Sequence, residues 1–280
     1  MHPRPLLPRL ALCTALLAGS ASAQITEPGL PVPLPVTPDA LWEGAIGLIA
    51  TYRPEYQGAT ERIVKLKPVV FLRYGRFTVS SGGSGFGTRR AGDIGRGLSL
   101  SVHEGDRARV SLGLRYDGGR DEAESGALAG LGDIRPTLRA RLAANVALEG
   151  PWRLGASWSV DAFGRGGGSY SELSTGWEQT VLPATVLTLS GNLSLADGRY
   201  MQTYYGVSEA QAANTAYPVY EPDAGLREIT LTVGLRHRLS REWILVGGLG
   251  LSRLLGPAAA SPLTISPSGW GVNAGAVWRF

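Results

Sequence analysis

The sequence has one cysteine, little charge and no long apolar run after its N-terminus. Because Cys13 is the only thiol, the fold contains no internal disulfide bond. Charged residues make up 18% of the chain, which is low for a soluble protein and excludes a coiled coil or a charged disordered chain. The longest apolar stretch, residues 243–251, is half of the roughly 18 residues that a membrane-spanning helix needs.

The first 23 residues have the pattern of a secretory signal. Arg4 and Arg9 form a basic start, an apolar core follows, and Ala-Ser-Ala predicts cleavage between Ala23 and Gln24. Residues 24–41 are rich in proline and are expected to form an extended periplasmic tail, more a spacer than a partner-binding segment. The 27 basic and 23 acidic residues nearly balance, and two of the basic ones lie in the leader, so nucleic acid is not an expected partner.

Apolar and polar residues alternate along the rest of the chain. In residues 152–162 every even position is apolar or small and every odd position is polar or glycine, which is typical of a strand with one apolar face. The same alternation covers residues 108–116, 134–146, 187–195 and 229–238.

Strand and loop lengths separate a membrane barrel from a soluble β-sandwich. The strands run to about 10–13 residues, as a tilted membrane-spanning strand requires. Short and long connections mostly alternate along the chain, as in outer-membrane barrels. The short turns are at 105–107, 147–151, 181–184 and 239–242, and the long loops are at 53–65, 82–97, 118–133, 197–225 and 255–268. We therefore predict one domain, residues 42–280, that is an all-β, antiparallel, up-and-down transmembrane barrel. Twelve strands are expected, or ten if the turn at Gly75 does not form. The strands are placed at 42–52, 66–74, 76–81, 98–104, 108–117, 134–146, 152–163, 169–180, 185–196, 226–238, 243–254 and 269–280.

Tryptophans fall at one end of the predicted strands. Five of them would form an aromatic girdle at the periplasmic interface of the outer membrane: Trp42, Trp152, Trp177, Trp243 and Trp278. The last strand alternates up to a terminal Phe280, and this ending resembles the signal read by the barrel-insertion machinery. Trp278 and Phe280 are therefore expected to contact that machinery. The apolar faces of the strands are expected to contact outer-membrane lipid.

No motif indicates an enzyme, a cofactor or a metal site. The sequence has no phosphate-binding loop, no zinc-protease motif and no nucleophile elbow. His103 and His237 are the only histidines after the leader, and both are predicted near the periplasmic rim, so a lipid-hydrolysing barrel is disfavoured. Two histidines without cysteine also argue against a metal site.

The polar face of the strands carries many arginines. One interpretation is a basic constriction that selects small anionic or polar solutes. The other, which the small width of a twelve-strand barrel favours, is an internal salt-bridge plug. The tyrosine-rich loop at 197–225 would fold inward or cover the mouth. Candidate lumen-lining residues are Arg115, Arg139, Arg141, Arg153, Asp161, Glu178 and Arg236. The same alternation places five further charged residues on the inward face (the inward phase): Arg109, Arg135, Glu172, Glu228 and Arg238.

Several short segments resemble the MipA/OmpV family of outer-membrane proteins. They are RPEYQG at 53–58 with Arg62 following, RYGRF at 73–77, LAGLGDI at 128–134, YGVS at 205–208, SPL at 261–263 and the terminal phenylalanine. The resemblance implies a non-enzymatic barrel in a Gram-negative outer membrane. It also implies a scaffold that joins a murein lytic transglycosylase to a penicillin-binding protein. A narrow channel remains the alternative function.

Overall fold

The computed structural model describes residues 42–81 and 97–280. In this part of the chain, twelve antiparallel strands close into one barrel, each paired with its neighbours in sequence and the first paired with the last. The predicted leader, the cleavage site at Ala23 and Gln24, the proline-rich tail and most of the loop at 82–97 lie outside the described residues. The strands are β1 (Trp42–Pro54), β2 (Arg62–Tyr74), β3 (Phe77–Ser80), β4 (Gly97–Glu104), β5 (Ala108–Asp117), β6 (Thr137–Ala147), β7 (Trp152–Asp161), β8 (Ser169–Leu182), β9 (Thr185–Ala196), β10 (Gly225–Arg238), β11 (Trp243–Leu254) and β12 (Ser268–Arg279).

The alternating sequence pattern sets which side chains face outward. On β7, Trp158 is 48% exposed on the outer surface, whereas its neighbour Ser159 is fully buried inside. The same alternation on the other strands surrounds the barrel with exposed leucine, isoleucine, valine and aromatic side chains. Such a belt is unfavourable in water and is stable against lipid, while barrel closure leaves no open sheet edge. The prediction of a membrane-spanning barrel is confirmed.

The strand connections differ in length at the two ends. We call the end with the tight connections the turn end and the opposite end the loop end. The turn at Gly75 forms, with β2 and β3 paired from Tyr74–Phe77 to Phe71–Ser80, and this decides for twelve strands over ten. The tryptophans predicted as a girdle lie at the turn end, with cross-strand pairs Trp152–Trp177 and Trp243–Trp278 and with Trp42 packed 5.7 Å from the ring of Phe280.

Two predicted strand starts are wrong by more than two residues. Strand β2 begins at Arg62 rather than at residue 66, so the β1–β2 loop covers residues 55–61 rather than 53–65. Strand β6 begins at Thr137 rather than at residue 134, because Pro136 lacks the N–H that a paired strand residue donates. Ile134 instead forms an isolated bridge to Arg120. Arg135, predicted to point into the barrel, therefore lies before the strand and is exposed.

The interior is divided into an apolar side and a polar side. Inward residues of β1, β2, β11 and β12 pack as a dry cluster that is at most 6% exposed. This cluster narrows the space inside the barrel, while polar and charged side chains line β5 to β10. The cluster consists of Ala45, Ile49, Val69, Phe71, Ile244, Val246 and Val277.

Three short α-helices lie in the described loops: α1 (Gly198–Tyr205), α2 (Glu209–Ala212) and α3 (Gly256–Ala259). None of the helices in the described part of the chain is long and apolar enough to cross a membrane. The loops pack against each other at the loop end through a second apolar cluster, which consists of Tyr56, Ala59, Leu128, Leu131, Val207 and Leu263.

Candidate functional site

The loop between β9 and β10 enters the barrel mouth instead of extending away from it. Asp197 caps helix α1 by accepting a hydrogen bond from the backbone N–H of Tyr200 (2.7 Å), as aspartate does at many helix starts. The same carboxylate accepts the backbone N–H and the hydroxyl of Ser169, both at 2.8 Å, which ties the helix to the start of β8. Burial alone would raise the pKa of Asp197, but these hydrogen bonds lower it, so the cap stays ionised.

Helix α1 buries an aromatic face inside the mouth. Tyr200, Met201 and Tyr205 are at most 3% exposed, and they pack with Tyr170 of β8 and with Leu254 at the end of β11. Burial raises the pKa of Tyr200 to about 12, and burial beside other groups also raises the pKa of Tyr205. Both phenols therefore remain neutral hydrogen-bonding groups at physiological pH.

A glycine permits the close approach of this helix. Gly168 has a φ of +58°, a conformation that glycine adopts without strain. A Cβ atom at this position would lie 2.2 Å from the backbone nitrogen of Tyr200 and 2.4 Å from the carboxylate of Asp197. The seven-residue connection between β7 and β8, residues 162–168, therefore fits against α1 only with glycine here.

Arg139 lies at the centre of the barrel mouth, the part of the interior at the loop end that helix α1 enters. Its guanidinium is fully buried, donates from Nε to Asp117 Oδ2 at 2.5 Å, and donates to the backbone oxygens of Gly167 (2.8 Å) and Gly168 (3.1 Å). The Tyr204 hydroxyl donates to the same Asp117 oxygen at 2.8 Å. One buried ion pair thus joins β5, β6, the β7–β8 connection and helix α1.

Aromatic rings surround the same guanidinium. Arg139 Cζ lies 5.2–5.9 Å from the ring centroids of Tyr170, Tyr200 and Tyr204, within the range of cation–π attraction. Burial, with the Asp117 charge adding to it, raises the pKa of Tyr204, so this phenol remains a donor. The arrangement holds the loop inside the barrel through charge, hydrogen bonds and ring contacts together.

A second polar network lies deeper in the barrel. Glu172 of β8 lies 3.6 Å from Arg141 and 3.9 Å from Arg227, and Arg227 lies 3.7 Å from Glu228. Arg227 also donates to the Tyr200 hydroxyl at 2.7 Å. Positive and negative charges are therefore paired within this network. Arg227 connects the network to helix α1.

The deeper network continues into the β1–β2 loop. Gln57 donates to Glu228 at 3.1 Å and accepts the Tyr205 hydroxyl at 2.5 Å. The Ser261 hydroxyl, from the β11–β12 loop, donates to the backbone oxygen of Tyr205 at 2.6 Å. Two other long loops thus converge on the C-terminal end of α1, and Gln57 links this end to Glu228 of β10.

A third group of charges lies toward the turn end. Glu178 of β8 interacts electrostatically with Arg153 of β7 and Arg236 of β10. Arg236 is 4% exposed, whereas Arg153 and Glu178 are partly exposed to the interior. In the described part of the chain, the tyrosine-rich β9–β10 loop forms no contact with these three residues. This group of charges is therefore separate from the barrel mouth.

The predicted lumen-lining residues therefore fall into different surroundings. Arg139 belongs to the mouth, Arg141 to the deeper network, and Arg153, Glu178 and Arg236 to the turn-end group. Asp161 lies at the end of β7, where it accepts the Thr137 hydroxyl at 2.6 Å and the backbone N–H of Gly167 at 3.0 Å. Arg115 lies on β5 and interacts with Tyr170 and Glu172.

The sequence analysis did not identify two residues that are central to these networks, Asp117 and Arg227. Asp117 shares the inward phase of Arg115, so the alternation contained the signal for it. Arg227 has the outward phase of Ile229, but a β-bulge between Leu226 and Glu228 turns it inward, where it is 1% exposed. The alternating pattern contains no signal for such an inserted residue.

The two histidines lie near the turn end, away from the mouth. His237 Nδ1 lies 2.8 Å from the Thr185 hydroxyl, and His103 is exposed on β4 opposite Val110. Neither histidine forms a hydrogen bond to a carboxylate among the described residues. The loop-end network can bind and orient groups, and it offers no histidine for proton transfer.

The fold and the outward apolar belt define the class of protein: a barrel that crosses an outer membrane with strands and carries packed loops at its loop end. Residues 46–280 match the model of the family described as MltA-interacting protein MipA, and the chain belongs to that family. The resemblance predicted from short segments is thereby confirmed. No protein of curated function matches the chain.

Solved barrels resemble the chain only in general architecture. The outer-membrane channel DcaP of Acinetobacter baumannii is 8% identical, with 89% of this chain and 100% of that chain covered and a TM-score of 0.41. An anion-selective porin of Comamonas acidovorans is 13% identical, with 85% and 98% covered and a TM-score of 0.36. At this similarity neither neighbour says anything about the function of this chain.

Proposed function

We propose that the protein is a non-enzymatic scaffold of the Gram-negative outer membrane that binds murein-remodelling enzymes at its turn end. The observation that carries the proposal is the packed loop end, where the buried Arg139–Asp117 pair and helix α1 occupy the barrel mouth. A barrel closed in this way is better suited to holding partners than to passing solutes. The family description, MltA-interacting protein, supports a murein transglycosylase as one partner, and a penicillin-binding protein is the second that we propose.

The turn end offers a surface for such partners. In outer-membrane barrels the tight turns face the periplasm, where murein enzymes work. Leu182 and Leu239 are 63% and 64% exposed on neighbouring turns, which are joined by a 2.8 Å hydrogen bond from Arg238 N–H to the Ala184 oxygen. Ala184 between them has a φ of +68°, an unusual conformation for a residue other than glycine. Strain of this kind is common at binding sites.

Replacing both leucines by aspartate is expected to weaken the partner contact. We expect the L182D/L239D variant to reduce cross-linking to a lytic transglycosylase about tenfold, because two exposed apolar anchors are lost. Quantitative cross-linking in purified envelopes would measure it, with the amount of folded barrel measured in the same samples. The V219D variant is a matched control, since Val219 is 49% exposed on the β9–β10 loop. Undiminished cross-linking of L182D/L239D would contradict the proposed surface.

A narrow channel for small anionic or polar solutes is the alternative. The group around Glu178 favours it, because Arg153 and Arg236 give this part of the interior an excess of positive charge. A basic lining of this kind would favour anions. Conductance of the intact protein in a planar bilayer separates the two functions.

The non-enzymatic part of the proposal has its own test. Replacing His103 and His237 by alanine together is expected to leave the lipid composition of the outer membrane unchanged, because neither histidine is paired with a carboxylate in the described structure. Mass spectrometry of extracted lipids would measure this. An altered acyl-chain profile in the double variant would instead assign a lipid-modifying activity to the barrel.

A further inference from the structure

We infer that Arg62, held between two aromatic rings on the outer surface of the barrel, binds the phosphate of a lipid headgroup in the outer leaflet. Arg62 is the first residue of β2, and its side chain lies on the lipid-facing side at the loop end. Its Cζ atom is 3.7 Å from the ring centroid of Trp270 on β12 and 4.6 Å from that of Tyr52 on β1. The site is independent of the proposed scaffold, which lies at the turn end.

The guanidinium is held in place with most of its donors unused. Nη2 donates to the backbone oxygen of Trp270 at 2.6 Å, and this is the one hydrogen bond of the Arg62 side chain to the described residues. Nε is shielded from solvent and has no partner there. Since a guanidinium carries five N–H donors, several remain for an anion. No carboxylate within residues 42–81 and 97–280 forms an ion pair with Arg62.

The height of the site matches the headgroup layer. From Trp42 in the girdle to Tyr52 there are ten residues of β1, about 34 Å along the strand. A tilt of about 40° reduces this to about 26 Å, close to the apolar thickness of an outer-membrane barrel. Tyr52 and Trp270, 37% and 45% exposed, therefore lie at the opposite edge of the lipid belt from the girdle. A fixed cation at this height meets headgroups rather than acyl chains.

The ring contacts also explain why arginine suits this position. A planar guanidinium stacks on aromatic rings and offers paired donors to phosphate oxygens, whereas a lysine ammonium does neither as well. Tyr52 and Trp270 pack edge to face with centroids 5.8 Å apart. The three side chains join β1, β2 and β12, so the guanidinium is ordered before the ligand arrives.

The test compares phosphorylated and dephosphorylated lipid on the refolded full-length mature protein. Native mass spectrometry would count lipid A molecules retained in detergent, with diphosphorylated lipid A and its dephosphorylated form as probes. We expect preferential retention of the phosphorylated form, a loss of about tenfold in R62Q and a smaller loss in R62K, since one charge-assisted contact is removed or weakened. The R76Q variant, which removes an exposed arginine from the β2–β3 turn at the other rim, should retain the lipid like the unaltered protein.

Three outcomes would overturn the inference. The first is equal retention of the two lipid forms, and the second is unchanged retention in folded R62Q. The third is binding of inorganic phosphate that depends on Arg62 while neither lipid form is retained, which would show a site for the free anion and not for a headgroup. Heat-shifted gel mobility would verify that each variant is folded, and R62K, which keeps the charge, provides the comparison if R62Q folds poorly. A failure of the scaffold proposal would leave each of these readouts unchanged.

Discussion

Replacing Arg139 by methionine is expected to lower the free energy of unfolding by about 3 kcal/mol, the low end of the range for breaking a buried ion pair. The substitution leaves the buried Asp117 carboxylate with the Tyr204 hydroxyl and the backbone N–H of Gly119 as its remaining donors. It also removes the guanidinium donor from the backbone oxygen of Gly167, and it leaves the backbone oxygen of Gly168 with the N–H of Asp161 as its donor. Urea unfolding in lipid vesicles, followed by tryptophan fluorescence, would measure the loss.

Two comparison variants separate the buried charge from a general effect of losing arginine. R141M should cost only about 1 kcal/mol, because Arg141 is 19% exposed and its partner Glu172 keeps Arg227 nearby. The D117N/R139M double variant should be more stable than R139M, since it no longer buries an uncompensated carboxylate. If R139M and R141M cost the same, the buried pair at the mouth would not be the main tether of the loops.

The barrel itself was predictable from the sequence because its physics is local. Alternation over ten or more residues requires a strand with one lipid-facing side, as in β7, and a barrel must close to satisfy its backbone. The aromatic girdle follows from the same alternation, since Trp152 and Trp177 are at positions where lipid meets water. Twelve strands required only that the turn at Gly75 form, and the structure shows that it does.

The mouth was less predictable because its contacts are distant in sequence. Arg139 was predicted to point inward, but its partners Asp117 and Tyr204 lie on another strand and on a loop helix. The sequence identified the tyrosine-rich loop, but it did not show whether this loop folds into the barrel or covers the mouth. That choice depends on the Asp197 cap and on the space at Gly168, neither of which has a periodic signal. Arg227 was hidden for a further reason, since one inserted residue inverts its face.

Shortening the β9–β10 loop is expected to open the barrel. Ala196 and Gly225 are paired across the two strands, so a short Gly-Ser linker replacing residues 199–223 joins them without strain. The deletion removes Tyr200, Met201, Tyr204 and Tyr205 from the mouth. In a planar bilayer we expect the intact protein to be nearly silent and the shortened protein to conduct steadily, at least about tenfold more, since the polar interior would fill with water.

The same recordings decide what the interior arginines do. In the shortened barrel, Arg139 and Arg141 would line an open lumen, and replacing both by alanine should reduce its preference for anions, because two fixed positive charges are lost. In the intact barrel, the same replacement should destabilise the protein without creating a selective pore, because the Asp197–Ser169 hydrogen bonds and the packing of Tyr200 and Met201 still hold helix α1 in the mouth. Steady conductance of the intact protein, with a selectivity that depends on Arg139 and Arg141, would contradict the closed mouth. It would then favour the narrow channel over the scaffold, because an open path would run past the residues that otherwise hold the loops in place.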